Sequence, residues 1–266
     1  MGIEVLKELS PWGTISTPGV GEVIKVKMAV IEGLEFYISK MVGRAVIDYR
    51  MIEDKDKIAV AVSGGKDSLA LLKILRDRQK FVPIKYDLMA LHVDMGYPRS
   101  FSRPLEKYFK SIGVKYRIIK SDDLKKTPKK DINCFWCSWN RRKNLFQTAD
   151  KLGYNKIALG HHKDDIAETI LMNLFFQGEI SAMKPKQELF KGKIMLIRPL
   201  AYVEEKMIGK FALQEKLPYD TCICPNSSVS HRAKIGKIIR ELERSCPEVK
   251  TNIFRSLTRI KPDYLL

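Results

Sequence analysis

The chain has 266 residues, 45% of them hydrophobic, and this excludes a disordered protein because such a chain can bury a large core. Its 48 Lys and Arg residues outnumber 31 Asp and Glu residues, which gives a net charge of +17 and favours a polyanionic partner such as nucleic acid. A basic surface that serves only solubility is the simpler alternative. A membrane-surface protein is disfavoured because no basic amphipathic helix stands apart from the core pattern.

The lack of a recognisable targeting signal, together with the cysteine usage, predicts a cytoplasmic protein without a membrane span. The N-terminal sequence lacks the pattern of a signal peptide or a myristoylation site, and the longest apolar runs, such as 170–176, are too short to cross a membrane. Five cysteines, none before Cys134, do not form the pattern of a disulfide framework. Free thiols or metal ligands are the better interpretation.

The order of predicted elements indicates an α/β protein. Residues 1 to about 24 read as a loop-rich leader, and apolar spacing predicts a helix at about 25–49. The predicted strands are 57–62, 86–93, 115–119, 156–159 and 194–197. The predicted helices are 67–79, 101–112, 138–152, 164–176, 203–216, 230–244 and 247–257. Short strands that alternate with helices predict a doubly wound, mainly parallel sheet, with N-terminal and C-terminal helical segments added to it. The predicted domains are 1–50, 51–217 and 218–266.

The sequence SGGKDS at 63–68 lies between an apolar strand and a helix. Two glycines let the backbone approach an anion, the helix start presents free N–H groups, and Lys66 and Ser68 add a charge and a hydroxyl. The spacing is not that of a Walker A loop, which has four residues between its first glycine and its Gly-Lys pair. This layout predicts a phosphate site at the carboxyl end of the first strand.

Two other predicted strands end in polar residues that can face the same crevice. His92 and Asp94 close the second strand, although a structural turn role for Asp94 stays open. Gly160 precedes two histidines and the acidic pair Asp164 and Asp165, which can hold Mg²⁺ or cap the next helix. Adjacent histidines do not share a helix face, so a zinc site of two histidines is disfavoured.

Two separated cysteine groups favour a metal or cluster site over a thioredoxin-type dithiol. Cys134 and Cys137 form a Cys-x-x-Cys turn, and Cys222 and Cys224 follow about 85 residues later. Spacing alone does not separate zinc from iron and sulfur, since both accept thiolates. Cys246 is interpreted as structural.

Three basic groups lie near the predicted crevice and are candidate tRNA contacts, although each can also be a solvated surface. The side chains selected as tRNA-binding are Lys125, Lys126, Lys129, Lys130, Arg142, Lys184 and Lys186.

These motifs together resemble the TtcA family of tRNA 2-thiocytidine synthetases, within the PP-loop ATP pyrophosphatases. The resemblance runs from about residue 33 to the end of the chain. It rests on SGGKDS at 63–68, the Cys134 and Cys137 pair, LGHHKDDIAETILMNLFFQG at 159–178 and AMKPK at 182–186. It implies an ATP- and Mg²⁺-dependent sulfurtransferase with a 4Fe-4S cluster, which converts cytidine 32 of tRNA to 2-thiocytidine.

The resemblance also implies roles for individual residues. The ATP site would comprise Ala61, Ser63, Gly64, Gly65, Lys66, Asp67, Ser68, His92, Asp94, Gly160 and Asp165. Lys66, Asp67, Arg141 and Asp165 would be catalytic. Cys134, Cys137 and Cys224 would bind the cluster and leave one iron open for sulfide. Cys222 stays an alternative, because the family pattern has Cys-x-x-Cys where this chain has Cys-Ile-Cys.

The implied partners are tRNA and a sulfur donor, either a cysteine desulfurase or inorganic sulfide, and a homodimer is compatible with this reading. A tRNA 2-thiouridine synthetase of the same fold is the nearest rival, but that type carries zinc-binding cysteines near its N-terminus. Lysidine synthetase shares the loop but does not need the cluster cysteines. A non-catalytic, metal-containing RNA-binding protein is the rival from another class.

Overall fold

A six-stranded sheet organises the molecule. The computed structural model describes residues 33–97, 101–128, 133–220 and 231–264, apart from the side chain of Cys134. The strands are β1 (Lys57–Ala61), β2 (Asp87–Asp94), β3 (Lys115–Lys120), β4 (Lys156–Ala158), β5 (Lys186–Leu189) and β6 (Ile194–Ile197). Their spatial order is β3-β2-β1-β4-β6-β5, and neighbouring strands are parallel except for the antiparallel pair of β5 and β6. The predicted doubly wound, mainly parallel sheet is therefore confirmed.

Helices cover both faces of this sheet. They are α1 (Leu34–Asp48), α2 (Lys66–Arg78), α3 (Ser102–Ser111), α4 (Asp123–Lys126), α5 (Cys134–Lys151), α6 (Lys163–Gln177), α7 (Glu205–Gln214), α8 (His231–Ser245) and α9 (Val249–Ser256), followed by a 3₁₀ turn (Pro262–Tyr264). One core joins α1, α2, α3 and α7 to the sheet, with Phe109 and Phe211 fully buried in it. The second core joins α5 to the opposite face through Leu145 and Ala149. Two covered faces explain the apolar character of β1 and β2.

Helices α6, α8 and α9 pack together beyond the sheet. Ala167 of α6 is buried with Ile235 and Ile239 of α8, and Ile253 of α9 packs against the same cluster. The described residues all belong to one compact unit, Ile31–Leu266. The domain boundaries at 50/51 and 217/218 stay a prediction.

Most predicted elements agree with the observed ones within two residues, and the differences have local causes. Helix α5 begins one turn before the predicted residue 138, because the side chain of Asn133 accepts a hydrogen bond from the Trp136 amide (2.9 Å) and caps the helix. Strand β5 was not predicted because it has little apolar character and pairs only with β6 at the sheet edge. The short helix α4 was also missed. The predicted start of the first helix, before residue 33, lies outside the described residues.

The strand order reverses between β1 and β4. From β1 the chain builds β2 and β3 on one side, and it then returns to place β4 on the other. Loops that leave two such neighbouring strands diverge, and this creates a crevice at their carboxyl ends. The segments after β1 and β4 are SGGKDS and LGHHKDD, so the fold brings these motifs together.

Candidate active site

A cleft of about 340 Å³ opens at the carboxyl ends of β1 and β4. Two of its walls come from the segments after these strands, and the third comes from α5. The lining residues are Ala61, Val62, Ser63, Asp67, Ser68, Val93, Ser138, Arg141, Arg142, Leu145, Phe146, Leu159, Gly160, His161, His162 and Asp165. The cleft therefore gathers eight of the predicted site residues: Ala61, Ser63, Asp67, Ser68, Arg141, Arg142, Gly160 and Asp165.

The SGGKDS loop is held by its own serines. Ser63 accepts a hydrogen bond at Oγ from the Gly65 amide (3.3 Å), while the Ser63 amide donates to Oγ of Ser68 (3.2 Å). The hydroxyl of Ser68 in turn donates to the Gly65 carbonyl (2.9 Å). Gly64 has φ +94°, a conformation that residues with a side chain rarely adopt. The loop is therefore fixed in shape ahead of the α2 N-terminus, as an anion site requires.

Gly160 is needed because the backbone of the segment after β4 packs directly against the backbone at the start of α2. A Cβ at this position would lie 2.9 Å from the Ser68 amide nitrogen and 3.0 Å from the Asp67 carbonyl carbon. Both neighbours are backbone atoms of α2, which cannot move without displacing the phosphate loop. The glycine thus allows the segment after β4 to pack directly against the start of α2.

Lys66 and Asp67 begin helix α2. Nζ of Lys66 lies 2.7 Å from Oε1 of Glu205 and 3.2 Å from Oδ1 of Asp67. Oδ1 of Asp67 is buried yet accepts no hydrogen bond of good geometry from the described residues. Burial raises the pKa of the Asp67 carboxyl above its usual 3.8. An under-coordinated, desolvated carboxylate oxygen beside a phosphate loop fits an oxygen ligand of Mg²⁺.

The N-cap of α6 is His162 and not Asp164, to which the sequence assigns a possible capping role. The side chain of His162 accepts from the Asp165 amide, and Oδ2 of Asp165 accepts from the His162 amide (3.0 Å), which completes a capping box. Three carboxylates surround the His162 ring: Nε2 lies 4.0 Å from Asp67 and 3.3 Å from Asp165, and Nδ1 lies 3.6 Å from Asp164. Burial alone would lower the pKa of His162, but these carboxylates raise it above 6.5.

Asp164 ties α6 to the C-terminal helices instead of capping. It is 7% exposed, its Oδ2 accepts from the Glu205 amide (2.8 Å), and its Oδ1 lies 2.8 Å from Nζ of Lys250. Although burial acts in the opposite direction, the partners His162 and Lys250 hold the pKa of Asp164 below its usual 3.8. This first acidic residue of the motif is a structural link, because both of its oxygens are occupied.

Asp165 lines the cleft and is also partnered. Its Oδ1 lies 3.1 Å from Nη1 of Arg232, the second residue of α8. Arg232 also contacts two residues of α6: its Nε lies 3.7 Å from Oε2 of Glu168, and its Nη2 donates to Oγ1 of Thr169 at 3.3 Å. The start of α8 is therefore anchored beside the cleft.

His92 and Asp94 lie near the cleft but not among its lining residues. Nδ1 of buried His92 is 2.8 Å from the Val62 carbonyl, and burial lowers the pKa of its ring. Asp94 accepts from the Gly96 amide (3.0 Å) and the Ser102 hydroxyl (2.7 Å). The His92 contact joins β2 to the end of β1, and the two Asp94 contacts join the end of β2 to the following loop and to the start of α3.

Helix α5 forms the cationic wall. Arg141 and Arg142 line the cleft, and Nε of Arg141 is buried without a hydrogen-bond partner among the described residues. An unsatisfied buried guanidinium N–H is costly, so its position in the cleft wall indicates an anionic or carbonyl acceptor that binds there.

The first cysteine pair lies at the start of the same helix. Cys134 and Cys137 occupy the first turn of α5, and the residue after them, Ser138, lines the cleft. Cys137 is a free, partly exposed thiol whose Sγ accepts from the Tyr97 hydroxyl at 3.6 Å. A helix N-terminus favours thiolates, which fits ligation of an iron-sulfur cluster. Within the described ranges, no group of three or more His, Cys, Asp or Glu side chains forms a metal site.

The later cysteines, Cys222 and Cys224, lie outside the described residues, but both ends of their segment are placed. The Asp220 amide donates to the Gly64 carbonyl (3.1 Å), and Arg232 contacts Asp165. The residues that flank segment 221–230 therefore lie beside the phosphate loop and beside α6. Cys246 follows α8, and its Sγ accepts from the side-chain Nδ2 of Asn252 at 3.8 Å.

The predicted tRNA-binding residues differ in their surroundings. Lys125 and Lys126 are exposed on α4, where Lys125 pairs with Asp122 (3.1 Å). Lys184 is exposed, while Lys186 donates to the Arg50 carbonyl (2.6 Å). Arg142 belongs to the cleft wall, and Lys129 and Lys130 lie outside the described residues.

Several site residues were not predicted because they act from distant parts of the sequence. Glu205 pairs with Lys66, Arg232 with Asp165, and Arg198 with His161. Arg198 directly follows β6, and a charged residue at a strand end was the one signal that could have identified it. The other two contacts depend on how the C-terminal helices pack.

Comparison with known proteins agrees with this geometry. The family model of the PP-loop domain matches residues 37–224. A tRNA-cytidine(32) 2-sulfurtransferase from Geobacter sulfurreducens is 41% identical over 236 residues, which cover 86% of this chain and 91% of the relative. Another such enzyme, from Paracidovorax citrulli, is 40% identical, and the match covers 88% of this chain and 77% of the relative. The chain belongs to the TtcA family of PP-loop proteins.

A solved structure shares the architecture of this TtcA-family chain. The U34-tRNA thiolase NcsA from Methanococcus maripaludis, with its 4Fe-4S cluster, superposes with a TM-score of 0.72 at 25% identity. The alignment covers 86% of this chain and 80% of that protein. Among the described helices, none combines the length and the apolar character needed to cross a membrane.

Proposed function

We infer that this chain is an ATP-dependent tRNA sulfurtransferase that converts cytidine 32 to 2-thiocytidine. The identity of about 40% to tRNA-cytidine(32) 2-sulfurtransferases over most of the chain carries this inference. The combination of a phosphate loop with a cysteine-bearing helix at one cleft supports it, because thiolation needs both an activated oxygen and a sulfur source.

The first half of the reaction activates the base. The C2 oxygen of cytosine is a poor leaving group, so it must attack the α-phosphate of ATP; a new P–O bond forms, the bond to the β-phosphate breaks, and pyrophosphate leaves. The loop N–H groups and Lys66 would stabilise the phosphate charges, and Oδ1 of Asp67 would hold Mg²⁺. Lys66 has to exchange Glu205 for a phosphate when ATP binds.

The second half replaces the adenylated oxygen. A C–S bond forms at C2, and the C–O bond breaks as AMP departs. Arg141, with its unsatisfied Nε, would donate to the base oxygen or the α-phosphate oxygen. The base must leave its stack to enter the cleft, since a paired or stacked base cannot present C2 there.

Cys134, Cys137 and one later cysteine would hold the 4Fe-4S cluster. When bound, this group supplies the place from which sulfur is delivered to C2. Cys224 is four residues from Asp220, so an extended chain takes it at most about 14 Å from there. Cys222 is closer still in sequence, and the choice between them rests on the family pattern, which favours Cys224.

Single alanine variants, reconstituted anaerobically with iron and sulfide, decide the third ligand. Cys224→Ala should lose the cluster absorption and the activity, whereas Cys222→Ala should keep both. The reverse result would assign the ligand to Cys222, and loss in neither would implicate Cys246 or another residue type.

The tRNA contacts and partners are proposals of the same kind. Lys125, Lys126, Lys129, Lys130, Arg142, Lys184 and Lys186 would contact tRNA phosphates, which fits the charge of +17. A cysteine desulfurase or inorganic sulfide would donate sulfur, a homodimer is compatible with the fold, and a tRNA substrate implies the cytoplasm.

Anaerobic reconstitution followed by nucleoside analysis tests the function. The reconstituted protein, incubated with tRNA, sulfide and ATP, should produce 2-thiocytidine, and omission of ATP should abolish it. Appearance of 2-thiouridine would favour the rival synthetase. Absence of any pyrophosphate release would favour a non-catalytic RNA-binding protein.

A further inference from the structure

His161, the first histidine of the motif after β4, is held by a buried arginine. Nε of Arg198 donates to Nδ1 of His161 at 3.3 Å, and the Nη1 group donates to the Lys184 carbonyl. Arg198 is 6% exposed and does not line the cleft, whereas His161 does. The histidine ring therefore lies between a fixed guanidinium and the cleft.

This contact determines where the ring carries its proton. A guanidinium has only donors, so Nδ1 must be the acceptor and cannot hold a hydrogen. A neutral imidazole then has its N–H at Nε2. No described residue forms a hydrogen bond with Nε2 of His161, and the atom is not among the buried polar atoms that lack a partner. The N–H is thus free to meet a ligand in the cleft.

The charges around the ring favour its neutral form. Arg142 from α5, Arg198 after β6 and Arg232 from α8 all disfavour protonation, and Asp165 from α6 is the carboxylate that opposes them. Burial together with these cations lowers the pKa of His161 to about 4. His162 next to it lies among carboxylates, and these raise the pKa of its ring against the effect of burial, so the two adjacent histidines have opposite shifts.

We propose that His161 is a catalytic residue whose neutral Nε2–H donates to an oxygen of the reacting groups, and that Arg198 is the positioning residue that fixes its tautomer. The proposal rests on the proposed function for the identity of those groups. The acceptor is an oxygen that gains negative charge, either a non-bridging α-phosphate oxygen or the C2 oxygen of cytosine. A neutral donor stabilises that oxygen and keeps its own proton.

Nitrogen NMR of the full chain with ¹⁵N-labelled histidine tests the tautomer independently of activity. The ring-nitrogen signals of His161 are assigned as those that are missing from the spectrum of His161→Gln. We expect an unprotonated Nδ1 and a protonated Nε2 from about pH 5.5 to about pH 8, where an ordinary histidine titrates. Arg198→Met should release the tautomer, and Arg198→Lys should preserve it. A protonated Nδ1 in the unmodified protein overturns the proposal.

A matched pair of carboxamides tests the catalytic role. The amide nitrogen of glutamine can reach the position of Nε2, whereas that of asparagine is too close to the backbone. His161→Asn should lower kcat for thiolation about 100-fold, the effect of losing one such donor, while His161→Gln should recover most of it. Equal kcat values for the unmodified, Asn and Gln proteins would overturn the role.

Nucleotide binding separates the two acceptors. If the acceptor is a phosphate oxygen, His161→Asn weakens binding of a non-hydrolysable ATP analogue without tRNA. If it is the base oxygen, that affinity is unchanged and only the tRNA-dependent rate falls. A reconstituted unmodified protein that makes no 2-thiocytidine would refute the proposed function, and the NMR and nucleotide-binding measurements would still decide the state of His161.

Discussion

The two sides of the cleft differ in how completely their polar groups are satisfied. On the phosphate-loop side, Ser63 and Ser68 close a hydrogen-bonded network, and the capping box of His162 closes the next helix start. On the α5 side, Nε of Arg141 has no partner among the described residues, and Cys137 is in no disulfide and has only a long contact from the Tyr97 hydroxyl (3.6 Å). The first side is a hydrogen-bonded scaffold that leaves Oδ1 of Asp67 without a hydrogen-bond partner among the described residues, and the second is arranged for groups that arrive with the substrate and the cluster.

This difference indicates a division of labour. A fixed loop lowers the cost of binding phosphates because little has to be ordered when ATP arrives. The α5 side contributes side chains from one helix, and under the proposed function a later cysteine would be added to them. Activation of the base would belong to the first side and delivery of sulfur to the second.

The largest effect should follow changes at the loop itself. Lys66→Ala and Asp67→Ala should each abolish 2-thiocytidine formation and leave tRNA affinity within a few-fold, because they act on ATP phosphates and Mg²⁺ rather than on RNA. Nucleoside analysis and a filter-binding titration measure the two quantities.

Glu205→Gln is the control for that prediction. It removes the charge of one of the two carboxylates that contact Lys66 without altering the loop, so thiolation should persist. Full thiolation by Lys66→Ala or Asp67→Ala would show that the loop does not serve catalysis.

Sequence predicted this side of the cleft well because its signals are local. A strand, two glycines and a helix start fall within a dozen residues, and β1, α2 and the turn appear where expected. The contacts of Lys66 with Glu205 and of Asp164 with Lys250 join residues far apart in the chain. No periodicity or short motif encodes such pairs, so sequence assigned Asp164 to a cap or a metal that the structure does not support.

The second prediction concerns Asp164, which links the start of α6 to Lys250 and to the Glu205 amide. Asp164→Asn should lower the free energy of unfolding by about 3 kcal/mol at neutral pH, since a buried, charged hydrogen-bond acceptor is lost. The pKa of Asp164 is lowered on folding, so its contribution is present above about 3.8 and disappears as the pH falls through the folded-state value. Urea unfolding at several pH values should therefore show the two proteins converging in acid. A constant difference would contradict the role of the charge.

Gly160→Ala should act through backbone contact. Its Cβ would meet the Ser68 amide nitrogen at 2.9 Å, so we expect a loss of about 2 kcal/mol in unfolding free energy and weaker ATP binding. Gly209→Ala is the matched control, because nothing lies within 4 Å of that Cβ and alanine favours the helix. Equal stability of the two variants would refute the close approach of the segment after β4 to α2.

A smaller effect is expected from the lysines ahead of α5. Changing Lys125, Lys126, Lys129 and Lys130 to Gln should weaken tRNA binding and reduce its salt dependence, because each lost phosphate contact releases about one fewer counterion. The matched control changes four lysines near the amino ends of the strands, away from the cleft at their carboxyl ends: Lys57, Lys80, Lys110 and Lys115. An equal change of salt slope in both proteins would leave a general charge effect as the explanation.

The division between the two sides is tested most directly by pyrophosphate release from Cys137→Ala with tRNA and ATP. The account predicts tRNA-dependent pyrophosphate release without 2-thiocytidine, because the phosphate loop is intact and a cluster ligand is missing. Lys66→Ala should release no pyrophosphate under the same conditions. Loss of pyrophosphate release in Cys137→Ala, with ATP and tRNA still bound, would contradict the account and show that activation also requires the cysteine side.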